Sequence, residues 1–194
     1  MTSLYQATNG SKKRKSSSAN SDADAGSQPP AAKKAQLAAA AASKNDVSSI
    51  HLDGEATQSV PVYDTCDDMR TKINRYMRET VGASNAGLVK LINAAAYPDT
   101  NEASAHQLKT FLTGKRGPTR GAESKVFYGA YVFFEKLRVK QDKKKSKKRE
   151  EMEDVWGSKG MRLQDTSRHG ILALPGEKPT EDQFGRLHFM RSGR

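Results

Sequence analysis

Apolar residues recur at helical spacing in five separate stretches between Val60 and Gly157, and each stretch carries its own start and stop signals. In "TCDDMRTKINRYMRETVG" the stripe is Met69, Ile73, Tyr76, Met77 and Val81. Thr65 stands at the cap position, Asp67 and Asp68 occupy the turn where the helix dipole favours anions, and Gly82 can end the helix. "SNAGLVKLINAAAYP" repeats the plan with Ser84 as cap, Leu88, Leu91, Ile92 and Ala95 as stripe, and Pro98 as stop. "SAHQLKTFLTGKRGP" opens with Ser104 and Gln107, the spacing of a capping box, and turns Leu108, Phe111 and Leu112 inward before Gly114, Gly117 and Pro118 end it. A fourth helix is predicted from about Gly121 to Val139. Its face is Phe127, Ala130, Tyr131, Phe134, Leu137 and Arg138, widened by Val126 and Phe133, with Lys125, Glu135 and Lys136 outside. The fifth, "SKKREEMEDVWG", has Ser146 as cap and Met152, Val155 and Trp156 as its apolar edge.

The flanks read differently. Residues 1–60 form a basic, Ser- and Ala-rich stretch with only Leu4 and Tyr5 as leucine and aromatic in the first 36 residues. Such a segment buries too little apolar surface to offset chain entropy and is expected to be disordered, with "AAAAA" at 38–42 helical only transiently. Residues 158–194 are expected to be irregular, with "ILAL" (171–174) and "RLHFM" (186–190) as the strands of a short hairpin. The expected fold class is therefore all-α: a small five-helix domain over 61–157 between two tails.

Five aromatics fall in the eight residues from Phe127 to Phe134, followed by a run of cations. Aromatic faces beside Lys and Arg suit single-stranded nucleic acid. Stacking aromatics, however, sit on strands or open loops, and the other amphipathic helices need an apolar surface to pack on. The aromatics are read as core. The cations are read otherwise. The chain carries a formal charge of +11, and between Lys115 and Arg149 there are 13 Lys or Arg against 3 acidic residues, which favours a polyanionic partner. Lys147, Lys148 and Arg149 fall in the first turn of the fifth helix, the unfavourable end for cations by about 0.3–1 kcal/mol each. A phosphate backbone would offset that, as would Glu150 and Glu151 in part. Lys143, Lys144, Lys145, Lys147, Lys148 and Arg149 are the expected phosphate contacts.

The second helix, the connector "YPDTNEA" and the third helix have the outline of a helix-turn-helix, although the connector of about seven residues exceeds the usual 3–4 and an ordinary bundle shares the outline. In that geometry His106, Gln107, Lys109, Thr110 and Thr113 reach base edges while Lys115, Arg116 and Arg120 flank the backbone. "KKRK" (Lys12, Lys13, Arg14, Lys15) has the composition of a nuclear import signal.

Other chemistry is not signalled. The four histidines (His51, His106, His169, His188) are scattered, no phosphate-binding or nucleophile motif is present, and the Asp67–Asp68 pair is explained by the helix dipole. The expectation is no enzyme, no metal, no cofactor and no small-molecule substrate. One cysteine, Cys66, permits no internal disulfide and suits a reducing compartment; with no apolar run near ~20 residues and no secretory leader, a soluble intracellular protein outside membranes is expected.

"VYDTCDDMRTKINRYMR", "LKTFLTGKRGPTRGAESKVFYGAYVFFEKLRVKQ" and "KSKKREEMEDVWG" resemble a domain-of-unknown-function family widespread in filamentous fungi, over about 61–160. Its helical order is similar to that of lambda-repressor and Cro-type DNA-binding domains, in which "FLTGKRGP" would correspond to the end of the recognition helix and the following turn. The functional expectation is a nuclear, transcription-regulatory protein that binds duplex DNA, with helix 104–114 in the groove and the basic run 136–149 on phosphates. The alternatives are a protein-interaction module for an acidic partner, such as a histone chaperone, and an RNA-binding protein.

Overall fold

Thr65 opens the first helix as its sequence predicts: its hydroxyl accepts from the Asp68 N–H while the Asp68 carboxylate accepts from the Thr65 N–H. The same reciprocal box forms between Ser104 and Gln107 at the third helix, and Ser84 and Ser146 cap the second and fifth. The computed structural model, which describes residues 45–100 and 102–191, thus has five helices: α1 (Cys66–Glu79), α2 (Asn85–Ala96), α3 (Ala105–Thr113), α4 (Lys125–Lys140) and α5 (Lys147–Trp156). Residues 1–44, including the Lys12, Lys13, Arg14 and Lys15 tetrad, lie outside the described residues. No helix among the described residues is long and apolar enough to cross a membrane.

The core is built around α4. From Val126 to Phe133 every residue of this helix is buried, and α1, α2 and α3 all pack on it. Its aromatics meet aromatics: Phe133 lies 5.9 Å from Tyr76, ring to ring, and Phe127 lies 6.0 Å from Phe111. Gly129 lets α2 approach closely, since a Cβ there would sit 2.7 Å from Ile92 Cγ2 and 2.8 Å from Tyr97 Cε2. The aromatics are core, although Phe134 is only half-buried.

Two buried polar side chains fix the helix order. Arg70, 1 % exposed, donates from Nε to Phe111 O at 2.9 Å, from Nη2 to Arg120 O at 2.7 Å and from Nη1 to Asp67 at 2.8 Å, with its guanidinium 4.5 Å over the Phe111 ring. One arginine of α1 thereby holds the end of α3 and the loop after it. Asn93 of α2 clamps the connector, donating to Ala103 O and accepting from Ala103 N–H, both at 2.9 Å.

The structure departs from the sequence pattern in four places. Lys136, predicted outside the apolar face of α4, is 2 % exposed; its ammonium donates to Ala95 O at 2.9 Å and pairs with Glu55. That pair belongs to the second departure. Residues 45–59, expected in the disordered tail, pack on the helices. Val47 is buried, Leu52 half-buried, Asn45 donates to the Tyr76 hydroxyl at 2.7 Å, and Glu55–Thr57 forms a single 3-10 turn. Val81, predicted within the α1 stripe, is exposed, because the helix ends at Glu79 and Thr80 leaves the helical path. Finally the fold is mostly helical and not purely so. β1 (Glu177–Glu181) and β2 (Leu187–Arg191) form an antiparallel hairpin with Pro179 opposite Phe189. The second strand lies where "RLHFM" predicted it, but the first is the polar "EKPTE"; the apolar 171–174 is no strand, and Leu172 is almost fully exposed.

Candidate nucleic-acid interface

Leu108 and Phe111 anchor α3 in the core, so its opposite face is turned outward: His106, Gln107, Lys109, Thr110 and Thr113 are all exposed. The outward groups are not equally free. Gln107 Oε1 accepts from the Ser104 N–H at 2.9 Å as part of the cap, and the Thr113 hydroxyl donates to Lys109 O at 3.0 Å. His106, Gln107, Thr110, Lys115 and Arg120 share the rim of a groove of about 600 Å3 with Arg168 and with Glu123 and Asp165 of the neighbouring loops.

The loop after α3 is held against the first turn of α1. Cys66 N–H donates to Pro118 O at 2.7 Å, Gly117 N–H donates to Asp67 at 2.9 Å, and Arg116 stands 3.8 Å from the same carboxylate. The start of α5 reaches that turn too, through Lys148 on Asp68 at 2.6 Å. Burial works against the Asp68 carboxylate, but the hydrogen bonds from Lys148 and Thr65 outweigh it and hold its pKa below the ordinary aspartate value. Two cationic segments some thirty residues apart in sequence therefore meet at one helix end. Along α1, Lys72 and Arg75 continue the line, Lys72 paired with Asp64 at 2.6 Å and Arg75 with Glu79 at 2.7 Å. With Arg138, Lys143 and Lys144 they rim a groove of about 500 Å3 between α1 and the end of α4, floored by Tyr76, Phe134 and Leu137.

The predicted phosphate contacts separate into two kinds. Lys145 pairs with Glu153 at 2.8 Å, Lys148 with Asp68, and Lys147 stands 4.0 Å from Glu151. Arg149 is buried: it meets Glu135 at 2.7 Å and Glu153 at 3.0 Å, with its guanidinium over the rings of Tyr63 and Tyr131. Carboxylates of the chain itself thus offset the cations in the first turn of α5, and no phosphate is required there. Lys109, Lys115, Arg120, Lys143 and Lys144 form no ion pair among the described residues. Lys72 and Arg75 went unnoticed in the sequence, where the only signal was two cations three apart on the polar face of α1.

No curated protein and no solved structure matches the chain. Residues 60–144, from the extended lead into α1 to the cationic loop after α4, match the family described as a domain of unknown function, DUF7726.

Proposed function

We propose that this protein binds duplex DNA as a transcription-regulatory factor of a fungal nucleus, with α2 and α3 acting as a helix-turn-helix of the lambda-repressor and Cro kind. The observation that carries this reading is the spatial order of the exposed cations. Lys115 and Arg116 lie by the first turn of α1, Lys143 and Lys144 by its later turns, and Lys72 and Arg75, which pair with Asp64 and Glu79, run between. α1 has 14 residues and so rises about 21 Å, roughly six steps of a duplex strand at about 3.4 Å each. In that arrangement His106, Lys109 and Thr110 read base edges and the lysines beyond contact phosphates. Gln107 contributes through its free amide N–H groups while its carbonyl keeps the cap.

The acidic-partner alternative has its own support in the second groove, whose apolar floor suits a side chain that DNA does not offer. Selection from a random duplex pool tests both. A recovered consensus bound at least 100-fold more tightly than random duplex supports DNA reading. Uniform weak binding, displaced as well by poly-glutamate or RNA, overturns it.

A further inference from the structure

The two outer edges of the hairpin are unlike. Asp182 N–H donates to Arg186 O at 3.0 Å, which fixes the alternation of the ladder: residues 178, 180, 188 and 190 bond inward, and residues 177, 179, 181, 187, 189 and 191 direct their backbone groups outward. The middle outward position of β1 is Pro179, which has no N–H. Its counterparts on β2, Leu187, Phe189 and Arg191, keep every donor and acceptor unpaired among the described residues. The β2 side chains are exposed throughout, Phe189 by 48 % and Met190 by 61 %. Among the described residues the hairpin is fastened at its turn end, through the Trp156 Nε1–H bond to Phe184 O at 3.0 Å and the contact of Glu181, the last residue of β1, with Thr119 of the loop after α3. A lone two-stranded hairpin is marginal in water, and an unblunted apolar edge is a template for another strand.

We propose that β2 is a self-association edge, at which two copies of this chain pair β2 antiparallel about a two-fold axis through Phe189 to make a four-stranded sheet. The strand is complementary to itself in this register. Phe189 faces its own counterpart, Leu187 faces Arg191 of the second copy, and His188 faces Met190, so no like charges stand opposite. Every outward residue meets an outward residue, and each such pair can exchange both N–H···O bonds. A slip of one residue would set inward-directed groups against outward ones and lose them. On one face the sheet would carry Pro179 and Phe189 of both copies side by side, an apolar strip that a single hairpin leaves in water. Pro179 at the far edge stops further addition, so the assembly closes at two.

Self-pairing requires nothing of α3 or of DNA, so its failure leaves the DNA reading where it stood. Sedimentation of the full chain over a concentration series should show a monomer–dimer equilibrium. Phe189→Pro, which removes one outward N–H and no bond of the hairpin itself, should weaken it at least tenfold with the helical circular dichroism unchanged. A second measurement does not depend on how that variant folds. Facing residues in a bonded pair have Cα atoms about 5.5 Å apart, within disulfide range, and Cys66 is buried. Under mild oxidation Phe189→Cys should therefore give covalent dimer much faster than Met190→Cys, whose facing residue is His188. A wild-type chain that stays monomeric at millimolar concentration overturns the proposal. So does a dimer indifferent to Phe189→Pro, or equal cross-linking of the two cysteine variants.

Discussion

Arg149 was read in the sequence as one cation in a run of six, and in the fold it is an internal strut between Glu135 and Glu153. Burial alone would raise the Glu135 pKa, but Arg138 and Arg149 outweigh it and hold the value below the ordinary glutamate range. A carboxylate with a lowered folded pKa contributes stability that is complete above its unfolded value and is lost as pH falls through the folded one. Glu135→Gln should accordingly cost about 3 kcal/mol or more in urea unfolding at pH 7, because it leaves a buried guanidinium short of a partner, and the difference from wild type should shrink toward pH 3. Gln107 poses the opposite problem, since it both caps α3 and faces outward. Gln107→Ala removes cap and contact together. Gln107→Glu keeps the box, in which Glu serves as well, and places a negative charge before DNA. If α3 reads bases, thermal stability should be unchanged in the Glu variant while affinity for a preferred duplex falls at least as far as in the Ala variant.

The five helices were legible because caps and stripes are local signals, each confined to one turn or one face. Lys136 shows where that legibility stops. By helical period it falls outside the apolar face of α4, and nothing in its neighbourhood announces a carboxylate 81 positions earlier in the chain. For the same reason the packed segment 45–59 looked like tail: Val47, Ile50 and Leu52 follow no period, and the segment is held largely by contacts to distant helices. β1 was missed because "EKPTE" shows no apolar alternation and none of its residues is fully buried, while "ILAL" attracted attention by hydrophobicity alone. Of the candidate interface, the outward face of α3 was legible from the anchors Leu108 and Phe111; the meeting of two cationic segments at Asp67 and Asp68 was not, being a product of the tertiary fold. Lys136→Met keeps the bulk on α4 and deletes the charge. Amide exchange should quicken across 47–60 and at the end of α2, where Ala95 O loses its donor, and stay unchanged in α3; uniform quickening would mean that Lys136 supports the core itself and not the segment laid over it.

Across the molecule, the count of 13 Lys or Arg against 3 acidic residues between Lys115 and Arg149 overstates what a partner can meet there. Acidic residues from outside the run neutralise much of it, with Asp67 near Arg116, Glu102 on Lys125, Glu55 on Lys136, Glu153 on Lys145 and Arg149, and Asp68 on Lys148. The lysines without carboxylate partners should then dominate salt dependence. Replacing Lys143 and Lys144 with alanine should lower the slope of log affinity against log salt by about 1.8, whereas replacing the paired Lys145 and Lys148 should lower it by less. The import expectation is tested apart from DNA: alanine at Lys12, Lys13, Arg14 and Lys15 should move a tagged protein toward the cytoplasm, and unchanged nuclear accumulation would discard the signal. The Glu135–Arg149 strut carries one more consequence, for where this domain can be cut. The family match ends at residue 144, so the strut crosses its boundary on one side as the Glu55–Lys136 pair crosses it on the other. A fragment trimmed to 60–144 would strand two buried charges at once. It should melt well below a fragment running from 45 to 160, so the unit that folds and the unit that recurs among relatives need not share their ends.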